Sequence, residues 1–191
     1  MRKGNFNRKT KETEIKVKVN LDGVGKVVIE TPVAFLSHML TSLATHSLTD
    51  IELTATGDLK HHIVEDVAIC LGEALYNSLG NRKGITRFGN AIVPMDDALA
   101  SAAVDLSGRS YSVVNLGLKG TNVEDCASED LNHFFTSLAS TLRANLHVNV
   151  EYGFNDHHRA EAAFKALALA LKMAVSIDPQ REGVPSSKGV L

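Results

Sequence analysis

The sequence predicts an α+β fold made of two fused, pseudo-symmetric halves, each with a roughly four-stranded sheet and two helices. Three observations predict it: an internal repeat, strand runs that alternate with helical stripes in the same order twice, and no hinge between the copies. Gly57 to Leu75 lies over Gly153 to Leu171 without a gap, matching Gly57 with Gly153, His61 with His157, Glu65 with Glu161 and Leu71 with Leu167. Upstream, His38-Met-Leu-Thr-Ser-Leu-Ala44 returns as His133-Phe-Phe-Thr-Ser-Leu-Ala139 once the offset shifts by one residue. A repeat of about 95 residues is too long for a solenoid unit and reads as a duplicated half-domain. The halves run from about residue 8 to 90 and from about 91 to 180, with a tail over 181–191. No linker rich in Pro, Gly or Ser separates them, so residues 1–191 are expected to form a single compact unit.

The elements follow from their periods. Ile15, Val17, Val19 and Leu21 alternate with Lys16, Lys18 and Asn20, a half-buried strand. Asp22-Gly23 is expected to turn it into a hairpin with Lys26 to Glu30. After Pro32, Phe35 to Ala44 reads as a helix, and Ile51, Leu53 and Ala55 make a strand that ends at Gly57. From His62 to Leu79 the apolar residues Val64, Val67, Ala68, Leu71 and Leu75 form a helical stripe that stops near Gly80. The second half repeats the order, with strands at Ala102 to Leu106 and Tyr111 to Leu116, a helix from Asp130 to Leu142, a strand at Leu146 to Tyr152 and a helix from His157 to Ser176. That last helix places Ala163, Phe164, Leu167, Leu171 and Ala174 on one face.

Composition narrows the function. With 191 residues, 44% of them apolar, the chain can bury a substantial core. A net charge of −2 gives no electrostatic reason to expect nucleic acid or an anionic membrane as partner. The two cysteines, Cys70 and Cys126, form no metal-binding or disulfide pattern, which fits a reducing cytoplasm. The basic N-terminus has no apolar stretch behind it, and the longest greasy run, Ala162 to Ile177, is broken by Lys165 and Lys172 and is too short to span a bilayer.

The chemistry lies in the duplicated His-His-x-x-Glu: His61-His62-Ile63-Val64-Glu65 and His157-His158-Arg159-Ala160-Glu161. Residues four apart share a helix face, so His61 with Glu65, and His157 with Glu161, can grip one divalent ion each. His62 and His158, rotated by about 100°, point elsewhere. If the halves pack about a pseudo-twofold axis, each can cross to the other half's ion, and His38 and His133 complete the sets. Solvated histidines at helix starts are the ordinary alternative, but six of the eight histidines fall at duplicated positions with matching carboxylates. His147, on a strand, is expected to face solvent, and His46 is expected to be structural. Imidazole and carboxylate donors without thiolate suit Mn, Fe, Zn or Ni, and four protein ligands on an octahedral ion leave positions open for catalysis.

At these residues the chain resembles the imidazoleglycerol-phosphate dehydratase family of histidine biosynthesis, from about Arg8 to Leu191. The resemblance is carried by Arg8-Lys-Thr-Lys-Glu-Thr13, Phe35-Leu-Ser-His-Met-Leu40, His61-His-Ile-Val-Glu-Asp66, Pro94-Met-Asp-Asp-Ala-Leu99, Asp105-Leu-Ser-Gly-Arg109, Asn155-Asp-His-His158 and the Pro185-Ser-Ser-Lys-Gly-Val-Leu191 tail. It implies halves related to the ribosomal protein S5 second-domain fold, two Mn2+ per active site, and self-association into trimers and a 24-subunit assembly with sites at subunit interfaces. By position it implies one ion on His61, Glu65, His133 and His158, and the other on His38, His62, His157 and Glu161. Glu12, Arg87, Arg109, Ser186, Ser187 and Lys188 would contact the substrate, the basic and hydroxyl groups as a phosphate clamp. No fused phosphatase domain, found in some relatives, is expected in the chain. The sequence departs from the family where Gly57-Asp58-Leu59-Lys60 replaces a longer acidic stretch before His61, so a carboxylate behind an imidazole, or a helix cap, is expected to be missing there. In the second half Gly153-Phe154-Asn155 stands where the family has Gly-Glu-Asn, with Asp156 as the candidate cap.

The implied reaction removes water from imidazole glycerol phosphate to give imidazole acetol phosphate. Its difficulty is the low acidity of the proton that is lost, which calls for two ions on the substrate's imidazole and a carboxylate to move the proton, Glu12 first and Asp97 second. Two other readings use the same ligands: a dinuclear metal hydrolase, recognisable by activity on generic phosphoesters, and a non-enzymatic metal-binding protein, which has no use for Arg87, Arg109 and Lys188.

Overall fold

The computed structural model describes residues 1–189, so the last two residues of the tail lie outside the description. The first half contains β1 (Lys3–Lys9), β2 (Thr13–Asn20), β3 (Val27–Glu30), α1 (Ala34–Ser47), β4 (Asp50–Gly57) and α2 (Lys60–Leu79). The second contains β5 (Phe88–Met95), β6 (Ala98–Asp105), β7 (Tyr111–Asn115), a short ribbon of β8 (Asn122–Val123) and β9 (Cys126–Ala127), then α3 (Ser128–Leu142), β10 (Asn145–Tyr152) and α4 (Asp156–Val175). The two sheets have matching orders, β1-β2-β4-β3 and β5-β6-β10-β7, and in each the last strand runs parallel to its neighbour. This is the α+β, pseudo-symmetric pair of four-stranded halves expected from the repeat.

The hairpin expected at Asp22-Gly23 is not formed. β3 pairs with β4, parallel, and β4 lies between β2 and β3. Alternation identifies a strand but not its partner. Here the Asp50 carboxylate at the start of β4 accepts the N–H groups of Val24 and Lys26 at 2.9 Å each, which carries the chain over the end of β4. α1 is then the crossover that a parallel pair requires.

Each sheet buries one face. Ile15, Val17 and Val19 of β2 and Leu146, Val148 and Val150 of β10 point into a core shared with the helices. α2 packs on β1, β2 and α3, and α4 packs on β5, β6 and α1, so each helix pair joins the two halves. Phe134, Phe135 and Phe164, all fully buried, meet at ring separations of 4.7 to 5.9 Å. Among the described residues no helix is long and apolar enough to cross a membrane.

Besides the short β8 and β9 ribbon, the sequence reading lacks β1 and β5, two edge strands fixed by one device used twice. Gly4 in β1 lies against the Ala74 carbonyl and Ser78 amide of α2, and Gly89 in β5 against the Ala170 carbonyl and Ala174 amide of α4. A Cβ at either position would collide with helix backbone, which no rotamer change relieves. We expect Gly89→Ala to cost about 3 kcal/mol, and so to lower the melting temperature of a chain this long by roughly 6 to 12 °C in a calorimetric scan. An unchanged melting temperature would show that β5 and α4 do not touch there.

Candidate metal centre

β4 and β10 deliver the chain directly into α2 and α4, so each His-His-x-x-Glu occupies the first two turns of a helix. α3 then brings His133 to His61 and Glu65, and α1 brings His38 to His157 and Glu161. In both groups one donor atom from each residue lies within 4.8 Å of the other two. The imidazole centroids are 5.8 Å apart in each group, His61 to His133 and His38 to His157. His133 Nε2 stands 3.7 Å from Glu65 Oε1, and Glu161 Oε2 stands 3.6 Å from His38 Nε2 and 3.3 Å from His157 Nε2. Adjacent ligands on an ion at about 2.1 Å lie about 3 Å apart, so small adjustments close either group on a metal. Each cluster draws donors from both halves, as the duplication suggested, but through His38 and His133.

Carboxylates back the imidazoles. His61 Nδ1 meets Asp130 Oδ1 at 2.5 Å and His157 Nδ1 meets Glu124 Oε1 at 3.1 Å, which leaves Nε2 of each ring for the cluster. The Asp130 contact raises the pKa of His61. Burial alone would push the Glu161 carboxyl up, but Lys165, His38 and His157 outweigh it and hold the group below its ordinary value. Glu161 is almost wholly buried, and Lys165 Nζ holds its second oxygen at 2.9 Å, whereas Glu65 is half-buried.

The acidic support expected to be missing from the first half is present. Asp58 Oδ1 meets His62 Nδ1 at 2.8 Å and raises its pKa, so the shortened segment keeps a carboxylate behind an imidazole. A side-chain cap on α2 is absent, because Leu59 occupies that position. In the second half Asn155, not Asp156, is the cap: its side chain accepts from the His157 and His158 amides, while Asp156 Oδ2 accepts from Lys119 and Gly120 of the preceding connection. His147 is exposed on β10, and His46 is exposed in the last turn of α1.

The remaining candidates are spread out. His62 pairs with Asp58, and His158 with Asp97 at 2.5 Å and Asp96 at 3.4 Å, and neither belongs to either three-donor cluster of its own chain. Glu12 is exposed in the bend between β1 and β2. Its carbonyl accepts the Asp58 amide at 3.0 Å, and its charge helps raise the pKa of His62. Asp97 also accepts the amides of Phe154 and Asn155, and with His158 these hold it well below the ordinary carboxylate range. Arg87 is engaged by both oxygens of Asp105, at 2.6 and 3.0 Å, and donates to the Pro185 carbonyl at 2.8 Å beside Ser186. Arg109, Ser187 and Lys188 are exposed. The Arg87 amide bonds the Ala174 carbonyl at the far end of α4 from His157, a separation of roughly 25 Å along the helix. One chain therefore carries its clusters and its tail clamp at opposite ends.

Sequence reading found the histidines and glutamates but missed Asp130, Glu124 and Asp58 behind them. Asp58 alone had a local signal, four residues before His62 on the way into the helix.

Matched α+β halves that lend helices to two equivalent imidazole and carboxylate clusters define a duplicated protein with paired candidate metal sites. Residues 31–171 match the family described as imidazoleglycerol-phosphate dehydratase. The chain is 51% identical to the imidazoleglycerol-phosphate dehydratase of Dehalococcoides mccartyi strain CBDB1, over all of this chain and 97% of that one. It is 53% identical to a protein of the same description from Phytophthora nicotianae, but spans only 43% of that longer relative. The solved structure of the Pyrococcus furiosus enzyme in complex with (S)-C348 superposes with a TM-score of 0.85 at 44% identity, covering 97% of this chain and 100% of the other. The chain belongs to the imidazoleglycerol-phosphate dehydratase family. Its activity is accordingly that of a hydro-lyase of histidine biosynthesis, acting on a small phosphorylated substrate.

Proposed function

We propose that the two clusters hold two Mn2+ ions, and that a working site forms only when copies of the chain assemble. The observation that carries this reading is the pair of matched three-donor clusters, each with an imidazole oriented by a carboxylate. Nitrogen and oxygen donors without thiolate, with coordination positions left open, fit a catalytic divalent ion of this kind. His158 of another copy completes the set of His61, Glu65 and His133, and His62 of another copy completes that of His38, His157 and Glu161. Assembly also supplies the clamp. Arg87, Arg109, Ser186, Ser187 and Lys188, too far from the clusters of their own chain, reach the phosphate bound at a neighbour's. Trimers and a 24-subunit shell provide such neighbours, in the reducing cytoplasm that the free, buried Cys70 and Cys126 suit.

When bound, the ions supply Lewis-acid stabilisation of negative charge on the substrate's imidazole ring. The protein's share is to hold that ring, fix the phosphate and move a proton. Glu12, exposed beside His62, is the proton-handling carboxylate. Asp97 already accepts three hydrogen bonds and serves to orient His158.

The test is formation of imidazole acetol phosphate from imidazole glycerol phosphate by metal-stripped protein before and after reloading with Mn2+. Product only after reloading, with two ions per chain, is expected. Hydrolysis of generic phosphoesters without this dehydration would establish the hydrolase reading instead.

A further inference from the structure

The connection that breaks the pseudo-symmetry touches all four helices at the ends where the clusters sit. Residues 31–33 join β3 to α1, whereas residues 116–127 join β7 to α3 and carry the β8 and β9 ribbon. At the turn of that ribbon, Asp125 accepts the N–H groups of Ala34 and Phe35, which open α1, at 2.9 Å each. The same carboxylate receives Lys60 Nζ at 3.1 Å, and Lys60 also reaches the Asp125 carbonyl at 2.8 Å. Lys60 is the first residue of α2 and the neighbour of His61. Val33 and Leu59, which precede these helices, provide no side-chain cap. Next to Asp125, Glu124 adopts a left-handed φ of 52° and meets His157 on α4, and five residues after Asp125, Asp130 on α3 meets His61.

We propose that Asp125 is a positioning residue for both clusters: one carboxylate ties the start of α1, which carries His38, to the start of α2, which carries His61 and Glu65. The inference rests on the two-ion reading above. A carboxylate is well suited to the task because amides at a helix start and an ammonium all favour negative charge. The effect on metal binding follows from tolerance. Ligand distances must hold to within about 0.2 Å, so releasing the first turn of either helix weakens a cluster before it disturbs the fold.

The experiment measures Mn2+ affinity by calorimetry on the full chain in two backgrounds. Glu161→Gln leaves the cluster between α2 and α3, and Glu65→Gln leaves the cluster between α1 and α4. Adding Asp125→Asn is expected to weaken binding about tenfold in both backgrounds. Adding Lys60→Met, which cuts only the tie to α2, is expected to weaken the α2 and α3 cluster by a similar factor and leave the other within about twofold, with the metal-free melting temperature unchanged. Asp125→Asn affinities within about twofold of the parents in both backgrounds would overturn the proposal. So would equal losses from both variants at both clusters in step with a lower metal-free melting temperature, the mark of an ordinary helix cap. If the unsubstituted chain binds no Mn2+, the two-ion reading itself falls.

Discussion

Glu161→Gln is expected to retain one Mn2+ per chain where the unsubstituted protein retains two, and to lower turnover at least about a thousandfold. Among the described residues Glu161 is the only anionic donor in its cluster, with His38 and His157 as partners. A glutamine keeps the shape and an oxygen but removes the charge that offsets the ion. It also leaves the Lys165 ammonium without the carboxylate now 2.9 Å away. Elemental analysis after gel filtration gives the ion count, and a dehydration assay gives the rate. Glu65→Gln is expected to lose the other ion, since its cluster is built alike from His61 and His133. The two variants need not be equal: Glu161 shares its charge with Lys165, whereas the repeat places Ile69 at the corresponding position after Glu65. Two ions and near-normal turnover in either variant would contradict the ligand assignment.

What the sequence made legible was whatever periodicity or duplication encodes. All four helices were read from the sequence, α2 and α4 by their apolar stripes, and the cluster residues stood out because His38, His61 and Glu65 recur as His133, His157 and Glu161. β1 and β5 escaped because their local composition hides them. Gly4 and Gly89, which let helix backbone approach, and Pro94, tolerated at an edge, all read locally as turn residues. Partner choice was equally hidden, since the apolar run Val27 to Ile29 reads as a strand whether it pairs with β2 or with β4. The carboxylates behind His61 and His157 come from Asp130 and Glu124, on segments remote in sequence, and nothing in the spacing announces such contacts. Nor does spacing reveal that Arg87 and the tail lie at the far end of α4 from His157. That separation is what the proposed assembly would have to bridge.

Glu12→Gln is expected to keep both ions and an unchanged melting temperature while losing turnover by about 10²- to 10⁴-fold. Its side chain is exposed, and the local structure depends on main-chain groups that the substitution leaves alone: the Glu12 carbonyl accepts from Asp58, and its amide donates to Thr10 Oγ1 at 3.0 Å. What changes is the ability to carry a proton. Asp97→Asn provides the contrast, because its carboxylate is engaged by His158 and by the amides of Phe154 and Asn155 and is a weak base for that reason. Its loss is expected to appear as Mn2+ affinity weakened about 10- to 100-fold, with turnover largely recovered at saturating metal. The pair separates proton transfer from ligand orientation. A Glu12→Gln enzyme of near-normal rate with two ions bound, or an Asp97→Asn enzyme whose rate stays low at saturating Mn2+, would move the proton-handling role from Glu12 to Asp97.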